Sequence, residues 1–482
     1  MVINTQEFIA LLPIIIISLT VILVMLSISL RRNHCISATL TITGFIFALF
    51  SLWFVQKVSP IDVTLLFHIE HQSVFYVMLI MLSSIATCIF AYPWLTNFTS
   101  NNKDEFYLLV LVASIGATVL VNSNHFIALF IGIELISIPL FGLIGYILSQ
   151  KYSLEATLKY MILSAVASSF LIFGIGLIYT DTGSLSLLDF GKHIDKNLQP
   201  LLLIGLGMMI IAFGFKLSLV PFHIWTPDVY QGTATPALVF LTTANKIAVF
   251  GIMMHLFTKS PIINNEVIFI ILSIISFVSI LFGNLMALLQ TNIKRLLGYS
   301  SISHFGYIMI TLLTEKLKYA PSETSNIYLV SYLLANIGAF GIISLMSSIY
   351  HGLLDVDSLN SYRGLFWSRP ILSIIMTIMM FSLAGLPITL GFIGKFYILI
   401  ATINTHLWWL TAAVVIGSAI GLYYYLRIII CLYRTSSKLY ICNNTISNTI
   451  YLLPKILIYI STLLIILLGI YPNPLINLIK LI

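Results

Sequence analysis

Residues 213–231 read FGFKLSLVPFHIWTPDVYQ, and this stretch gives the strongest indication of both fold and function. It places Lys216 inside an apolar run and then adds Pro221, which lacks a backbone N–H and interrupts a helix. A charged side chain and an interrupted backbone are both costly in hydrocarbon unless water or a partner group satisfies them. The stretch therefore predicts an ion pathway within a membrane. The alternative is a structural ion pair between Lys216 and an acid.

The composition is that of an integral membrane protein. Of 482 residues, 59% are hydrophobic and 8% are charged, whereas soluble domains carry about 25% charged residues. Apolar runs of membrane-helix length recur along the chain, which predicts an all-α polytopic membrane protein with about 14 transmembrane helices. The runs cover residues 8–30, 34–55, 73–95, 106–121, 125–148, 157–180, 201–225, 235–257, 266–289, 298–314, 325–349, 371–402, 408–433 and 451–471.

The net charge of +7 comes mostly from the connections between these runs, so it bears on topology and does not predict a nucleic-acid partner. Arg31 and Arg32 follow the first run, and Lys and Arg are more frequent in connections on that side of the membrane. Because cytoplasmic connections are enriched in Lys and Arg, both termini are expected outside the cytoplasm.

One carboxylate is unlike the others. Of the 16 Asp and Glu in the chain, Glu134 alone is predicted in the middle of an apolar run. Carboxylates at that depth are rare and normally face a partner or a water-filled cavity. Pro139 follows Glu134 by the same spacing at which Pro221 follows Lys216. We expect Glu134 to be the charge partner of Lys216, and a purely structural salt bridge is the alternative.

Two further lysines are predicted within helices. Lys246 lies near the centre of the run 235–257 with no acid within a helical turn, so its partner must come from another helix or from water. Lys159 follows Glu155 at the i,i+4 spacing that puts both side chains on one helix face. The Glu155–Lys159 pair is either an ordinary interfacial ion pair or a cytoplasmic entrance for protons.

Two histidines are candidate proton relays. His304 follows three serines within residues 300–303, at an unusually polar helix start, and its unperturbed pKa is the nearest to neutrality. These polar residues either form a hydrogen-bonded relay or only satisfy neighbouring backbone groups in the bundle. His223, shortly after Pro221, is the second candidate for a relay or an entrance.

A second helix break repeats the first. Residues 382–397, SLAGLPITLGFIGKFY, interrupt a long apolar run at Gly385 and Pro387 and place Lys395 just beyond the break. Five predicted helices separate equivalent positions, so two five-helix repeats, helices 4–8 and 9–13, are expected to cross the membrane in opposite senses. The predicted segments are a three-helix packing module (1–100), the two repeats with one half-channel each (101–260 and 261–435) and a last helix (436–482).

Glu134, Lys216, Lys246 and Lys395 are predicted at similar depths on different helices, which suggests a lateral line for proton transfer. Desolvation destabilises an ammonium and a nearby carboxylate stabilises it. A buried lysine whose carboxylate moves can therefore store and release a proton.

The chain lacks the usual motifs for redox or nucleotide chemistry. There is no phosphate-binding loop, dinucleotide motif or convincing haem-type histidine pair, and the four cysteines, Cys35, Cys88, Cys431 and Cys442, are scattered without a CxxC. No metal or cofactor site is predicted in this chain. The energy for transport must come from another polypeptide.

Several segments resemble the antiporter-like membrane subunits of bacterial NADH:quinone oxidoreductase, respiratory complex I. The pattern KxSxxPFHxWxPD at residues 216–228 is specific to the wider antiporter-like family. The matching segments are 102–109 (NKDEFYLL), 130–137 (FIGIELIS), 216–232 (KLSLVPFHIWTPDVYQG), 291–304 (TNIKRLLGYSSISH) and 391–397 (GFIGKFY).

The resemblance implies a proton-transfer line at Glu134, Lys216, Lys246 and Lys395, with His304 as a connecting group. It also implies a subunit of a proton-translocating oxidoreductase in the bacterial inner membrane. In that membrane, the Lys and Arg distribution predicts both termini on the periplasmic side. NADH, flavin, iron–sulfur and quinone sites would belong to partner subunits, which include neighbouring antiporter-like subunits.

Three functions are compatible with these residues. The first is proton translocation driven by redox chemistry in partner subunits. The second is a cation/proton antiporter subunit of the related multisubunit type, which shares the KxSxxPFHxWxPD pattern and needs no redox partner. The third is a scaffold subunit whose buried charges only hold a complex together.

Overall fold

The computed structural model describes residues 4–96, 102–148, 150–187, 199–314, 321–349, 357–435 and 450–480, and it has the predicted all-α polytopic fold. The first helices are α1 (Thr5–Leu30), α2 (His34–Val58), α3 (His71–Thr96), α4 (Glu105–Val121), α5 (Phe126–Ile144), α6 (Lys151–Thr182), α7 (Pro200–Leu217), α8 (Trp225–Gly232), α9 (Thr235–Thr242) and α10 (Ala244–Lys259). They are followed by α11 (Glu266–Leu288), α12 (Ile293–Thr314), α13 (Pro321–Ile349), α14 (Pro370–Ala384), α15 (Leu390–Asn404), α16 (Trp408–Tyr433), α17 (Leu452–Ile470) and α18 (Asn473–Lys480). Cys442 and the first part of the predicted last segment, 436–449, lie outside the described residues.

The helices match the predicted membrane segments closely. Within the described ranges, 12 helical segments are long and apolar enough to cross a membrane. Shorter apolar helices are α4, α14 and α15. Since α14 and α15 are the two halves of one broken segment, this pair and α4 supply the remaining predicted segments.

The helices form two compact units. One comprises Met1–Leu217 and Phe240–Ile268, and the other comprises Ser218–Val239 and Phe269–Leu481. The chain therefore leaves the first unit at the last residue of α7, directly after Lys216. The four-segment division and the inversion of one repeat relative to the other stay predictions.

The first helix break lies where residue chemistry predicts it, but α7 is shorter than expected. The predicted run 201–225 extends too far, because α7 ends at Leu217 and α8 begins only at Trp225. Ser218 has a φ of 65°, which ends regular right-handed helix geometry. The ring of Pro221 also disfavours helical backbone angles at the preceding residue, Val220, so the chain stays irregular through Pro221.

A third break is not predicted by the sequence. The expected single run 235–257 consists of α9, which ends at Thr242, and α10, which begins at Ala244. Thr243 between them has φ −110° and ψ −78°. Neither glycine nor proline lies at this interruption, so the residue pattern contains no signal for it. Lys246 is consequently in the first turn of a helix and not in the middle of one.

A β-hairpin after α2 and a short helix after α17 are among the elements that the sequence did not predict. An antiparallel hairpin joins α2 to α3, with β1 (Ile61–Val63) pairing with β2 (Phe67–Ile69) so that Asp62 lies opposite His68. Beyond the last predicted run, α18 forms a further short helix. Both were missed because neither is long enough to produce a periodic apolar pattern.

Gly385 is essential to the geometry of the second break. It ends α14 with a φ of 79°, in the left-handed region that favours glycine. Its N–H donates to the carbonyl of Phe381 at 3.0 Å. A Cβ at this position would lie 2.7 Å from Cδ of Lys395, so the lysine side chain would have to shift. The backbone angle is therefore the main reason for glycine here.

We predict that Gly385→Ala destabilises the protein by about 1–2 kcal/mol from the left-handed backbone alone. Thermal unfolding of the detergent-solubilised protein measures this effect. Gly207→Ala in α7 is the matched control, because no atom lies within 4 Å of the Cβ it would add. Equal melting temperatures for the two variants would contradict the prediction.

Candidate functional site

Lys216 lies at the end of α7 and is buried, with 3% of its surface exposed. Its Nζ donates to Oγ of Ser137 on α5 at 2.6 Å and to Oγ of Ser164 on α6 at 2.8 Å. The ring of Tyr160 adds a cation–π contact, with its centroid 5.7 Å from Nζ. Neutral hydroxyls and an aromatic face therefore surround the ammonium directly.

Glu134 is connected to Lys216 through serines. No ion pair within 4.0 Å joins these two described residues; instead, Glu134 Oε1 accepts a hydrogen bond from Ser168 Oγ. Ser168 and Ser164 lie on successive turns of α6, and Ser137 lies one turn after Glu134 on α5. The carboxylate and the ammonium thus contact the same two helices on adjacent turns.

Ser168 has one hydroxyl proton and two acceptors within reach. One is the Glu134 carboxylate, and the other is the backbone carbonyl of Ser164 at 3.0 Å. Ionised Glu134 can only accept, so it holds the hydroxyl proton of Ser168. Protonated Glu134 can donate to Ser168, which then turns its own proton to the Ser164 carbonyl. The charge of Glu134 therefore changes the hydrogen bonding on the helix that contacts Lys216.

Lys246 is completely buried in the first turn of α10, in the same unit as Lys216. It follows directly on the interruption at Thr243. Like Lys216, it therefore lies beside a helix end, where backbone groups lack helical partners. The sequence predicts the burial of this lysine but not the helix end beside it.

In the second unit, Lys395 is 9% exposed and lies near the start of α15. Its Nζ donates to the carbonyls of Leu383 and Ala384, each at 2.9 Å. These are the last residues of α14, whose carbonyls have no helical donor and carry the negative end of the helix dipole. The ammonium therefore caps the broken helix, and the Tyr307 ring lies 5.4 Å from Nζ.

His304 is buried among tyrosines in the same unit. Its Nδ1 lies 2.7 Å from the Tyr328 hydroxyl and its Nε2 lies 3.1 Å from the Tyr425 hydroxyl. His304 and Lys395 line one cavity of about 10 Å³, which is close to the smallest space that holds a water molecule. The structure thus brings together two site residues that are far apart in the sequence.

The other two candidates lie elsewhere. Lys159 Nζ pairs with Glu155 Oε1 at 2.6 Å on the exposed surface of α6, which is the expected i,i+4 ion pair. Its role as a proton entrance stays a prediction. His223 is buried in the irregular segment after α7 and packs edge-on against Phe282 at 4.8 Å. It belongs to the second unit, whereas Lys216 belongs to the first.

Sequence reasoning missed the polar groups that contact the charged ones. These are Ser137, Ser164 and Ser168 around Lys216, and Tyr328 and Tyr425 around His304. The i,i+4 spacing of Ser164 and Ser168 in an apolar helix is a usable signal. The tyrosines offer none, because buried tyrosine is common and its partner depends on packing.

Lys294 and Arg295 lie between the predicted runs 266–289 and 298–314, which leaves them in a connection. That placement is wrong, because both lie in the first turn of α12. Lys294 is fully buried, and its Nζ lies 3.2 Å from Asp357 Oδ1. Arg295 Nη1 lies 2.6 Å from Oδ1 of Asp228, the final acid of the KxSxxPFHxWxPD pattern. That acid therefore fastens α8 to α12.

The comparison with protein families identifies the class of this chain. Residues 123–421 match the transmembrane family described as NADH:quinone oxidoreductase/Mrp antiporter. The chain belongs to this family. It is an antiporter-like membrane subunit of the complex I and Mrp type, as the sequence resemblance indicated.

Solved structures agree with this assignment. A chain of respiratory complex I from Thermus thermophilus, solved with bound aureothin, is 28% identical, with a TM-score of 0.82 over 96% of this chain and 98% of that one. A chain of an archaeal membrane-bound sulfane sulfur reductase is 22% identical, with a TM-score of 0.87 over 98% and 96%. A chain of the Mrp complex from Dietzia sp. DQ12-45-1b is 15% identical, with a TM-score of 0.84 over 99% and 97%. The last two show a shared fold.

We predict that Asp357→Asn destabilises the protein by about 1–3 kcal/mol, because Lys294 then stays buried without its carboxylate. Glu155→Gln removes a carboxylate from an exposed pair and should cost less than about 1 kcal/mol. Thermal unfolding of both variants in detergent gives the comparison. A larger loss for Glu155→Gln would contradict this account of the α12 ion pair.

Proposed function

We propose that this chain is a proton-translocating membrane-arm subunit of bacterial NADH:quinone oxidoreductase and that it corresponds to subunit N. The family match and the 28% identity to a complex I chain support the first part. The sequence segments 102–109 and 130–137 support the narrower assignment to subunit N. The protein acts as part of a translocase, and it is placed in the bacterial inner membrane with both termini on the periplasmic side.

The observation that carries this proposal is the environment of Lys216. If Lys216 only held helices together, its ammonium would be expected to contact the Glu134 carboxylate directly, because a separated buried ion pair loses Coulomb energy. Here serine hydroxyls contact the ammonium and a further serine contacts the carboxylate. Hydroxyls can both donate and accept, so they tolerate either protonation state of their neighbours.

A proton can be stored in this arrangement and released from it. When Glu134 is ionised, its charge stabilises the Lys216 ammonium through the adjacent turns of α6. When Glu134 is neutralised or moves away, that stabilisation is lost while the burial cost of the ammonium persists. Lys216 then gives up its proton. Lys246, buried in the same unit, is the proposed next acceptor.

The second unit has its own proposed proton carrier, Lys395, which shares a cavity with His304. That cavity is large enough for one water molecule beside the two side chains. His304 is bonded at both ring nitrogens to tyrosine hydroxyls, which fixes the ring toward its neighbours. This arrangement suits a relay, since imidazole accepts a proton at one nitrogen and releases one at the other.

Partner subunits supply the energy under this proposal. Flavin, iron–sulfur clusters, NADH and quinone are assigned to them, and neighbouring antiporter-like subunits continue the membrane arm. The alternative function is a cation/proton antiporter subunit of the Mrp type, which would work without redox partners. Purification through a tag on this chain distinguishes them: flavin and iron–sulfur subunits accompany a complex I subunit and do not accompany an antiporter.

We predict that Lys216→Met lowers the number of protons moved per electron in assembled complex reconstituted into vesicles. Methionine keeps the length of the side chain and removes the exchangeable proton. Glu134→Ala should act in the same direction. Native gels check assembly, and the quench of a pH-sensitive dye during NADH oxidation measures pumping. A normal ratio in well-assembled Lys216→Met would reject proton transfer through this chain.

We predict that Ser168→Ala slows pumping by about tenfold or more through this site, because a hydrogen bond to a charged group contributes about 1.5–3 kcal/mol. Ser168→Thr, which keeps the hydroxyl, should restore most of the rate. Ser169→Ala is the matched control, since the Ser169 hydroxyl is exposed and donates only to the Ala165 carbonyl among its described contacts. Equal pumping by Ser168→Ala and Ser169→Ala would remove Ser168 from the mechanism.

A further inference from the structure

A compact group of five ionisable side chains lies at the other end of the helix that carries Lys246. Asp62 and His68 face each other across the hairpin, Glu70 follows β2, and His255 and Lys259 lie in the last turns of α10. All five belong to the first unit. None of the five belongs to the proton path of the proposed function.

His68 is held between two carboxylates. Its Nδ1 lies 2.5 Å from Asp62 Oδ1, and its Nε2 lies 2.8 Å from Glu70 Oε1. Ionised carboxylates only accept hydrogen bonds, so both ring nitrogens must carry a proton. The bond to Glu70 is the largest influence and raises the pKa of His68, burial lowers it, and Asp62 raises it further. These bonds favour the imidazolium form of His68 at the edge of the membrane domain.

Glu70 connects the hairpin to α10. Its Oε1 also lies 2.5 Å from Nζ of Lys259. Burial by itself raises the pKa of Glu70, but hydrogen bonds from His68 and Lys259 outweigh it and lower the pKa to about 2. Glu70 thus stays ionised. With His68 charged, the two acids and the two cations balance.

His255 lies one turn before Lys259 and stacks on His68, with ring centroids 6.1 Å apart. Both of its ring nitrogens are buried and have no hydrogen-bond partner among the described residues. A buried ring nitrogen without a partner is costly and calls for a function or a mobile partner. A proton added to His255 would repel the charge on His68, because the rings are close and partly shielded from water.

The position of the group follows from the helices. His255 comes nine residues after Lys246 on α10, about 13 Å along the helix axis. The buried Tyr76 ring packs against Gly251 between them, and its hydroxyl accepts from Gln72 at 2.9 Å. Since α1 and α2 return the chain to the face where it begins, the hairpin lies on the face of the N-terminus.

We propose that Asp62, His68, Glu70, His255 and Lys259 form a proton-exchange site, at which a proton arriving at His255 from the Lys246 side displaces one from His68 to the aqueous face. One proton is accepted at His255 and one leaves His68, so the net charge of the group is unchanged. The proton on His255 then passes to the neutral His68, which restores the starting state. This proposal rests on the proposed proton translocation. With the N-terminus on the periplasmic side, it makes the hairpin face the side of release.

Protons moved per electron in reconstituted complex test the site. His255→Gln and His68→Gln should lower the ratio as much as Lys216→Met does. His71→Gln is the matched control, because His71 lies beside the hairpin and bonds to Ser59 at 3.0 Å outside the group. A normal ratio in both cluster variants, with a lowered ratio in Lys216→Met, overturns the exchange site alone. A normal ratio in Lys216→Met overturns the proposed function and the site with it.

A second measurement separates proton exchange from a structural role. Asp62 is 65% exposed, so Asp62→Asn should fold normally. Because Asp62 raises the pKa of His68, its loss lets His68 release its proton at lower pH. The pH profile of pumping, varied on the hairpin side only, should therefore move to lower pH. The other titratable groups facing His68, namely Glu70, His255 and Lys259, are unchanged in this variant. An unmoved profile overturns the proposal.

Discussion

The cost of a buried ammonium is the constraint on which this structure depends. A lysine side chain in an apolar interior must find acceptors, and a helix interrupted in hydrocarbon must find donors for its last carbonyls. At Lys395 the two requirements satisfy each other, because the ammonium bonds to the carbonyls at the end of α14. At Lys216 serine hydroxyls from α5 and α6 supply the acceptors. Each of the three breaks described above thus lies beside a buried lysine, and at the second break the lysine bonds directly to the helix end.

The same constraint explains what could be predicted from the sequence. Proline and glycine change backbone geometry by their own chemistry, so the residues alone place the breaks near Pro221 and Gly385. The interruption at Thr243 is not predictable in this way, because it involves ordinary residues and follows from packing. The burial of Lys216, Lys246 and Lys395 was predictable from their apolar neighbours in the sequence. Their contacts were not, since hydrogen-bond partners depend on how helices far apart in sequence meet.

The expected partnership of Glu134 with Lys216 shows this difference clearly. Charge and depth pointed to a pair, but residue spacing contains no information on whether two side chains on separate helices touch. The structure separates them by a layer of serines on α6. Such a layer weakens the pair as a structural bond and makes its strength depend on hydroxyl orientation. A scaffold needs the strong form of this interaction, whereas a transport site needs the adjustable one.

The cap that Lys395 forms on α14 has a thermodynamic consequence. The ammonium binds the helix end more strongly than a neutral amine would, because charge-assisted hydrogen bonds are the stronger kind. Order at the end of α14 and protonation of Lys395 are therefore linked equilibria. A change in the free energy of one changes the free energy of the other by the same amount. A conformational change that disorders the end of α14 favours deprotonation of Lys395, and protonation of Lys395 favours an ordered end of α14. Under the proposed function, a conformational change at this helix end and proton binding would therefore be coupled through the single side chain of Lys395.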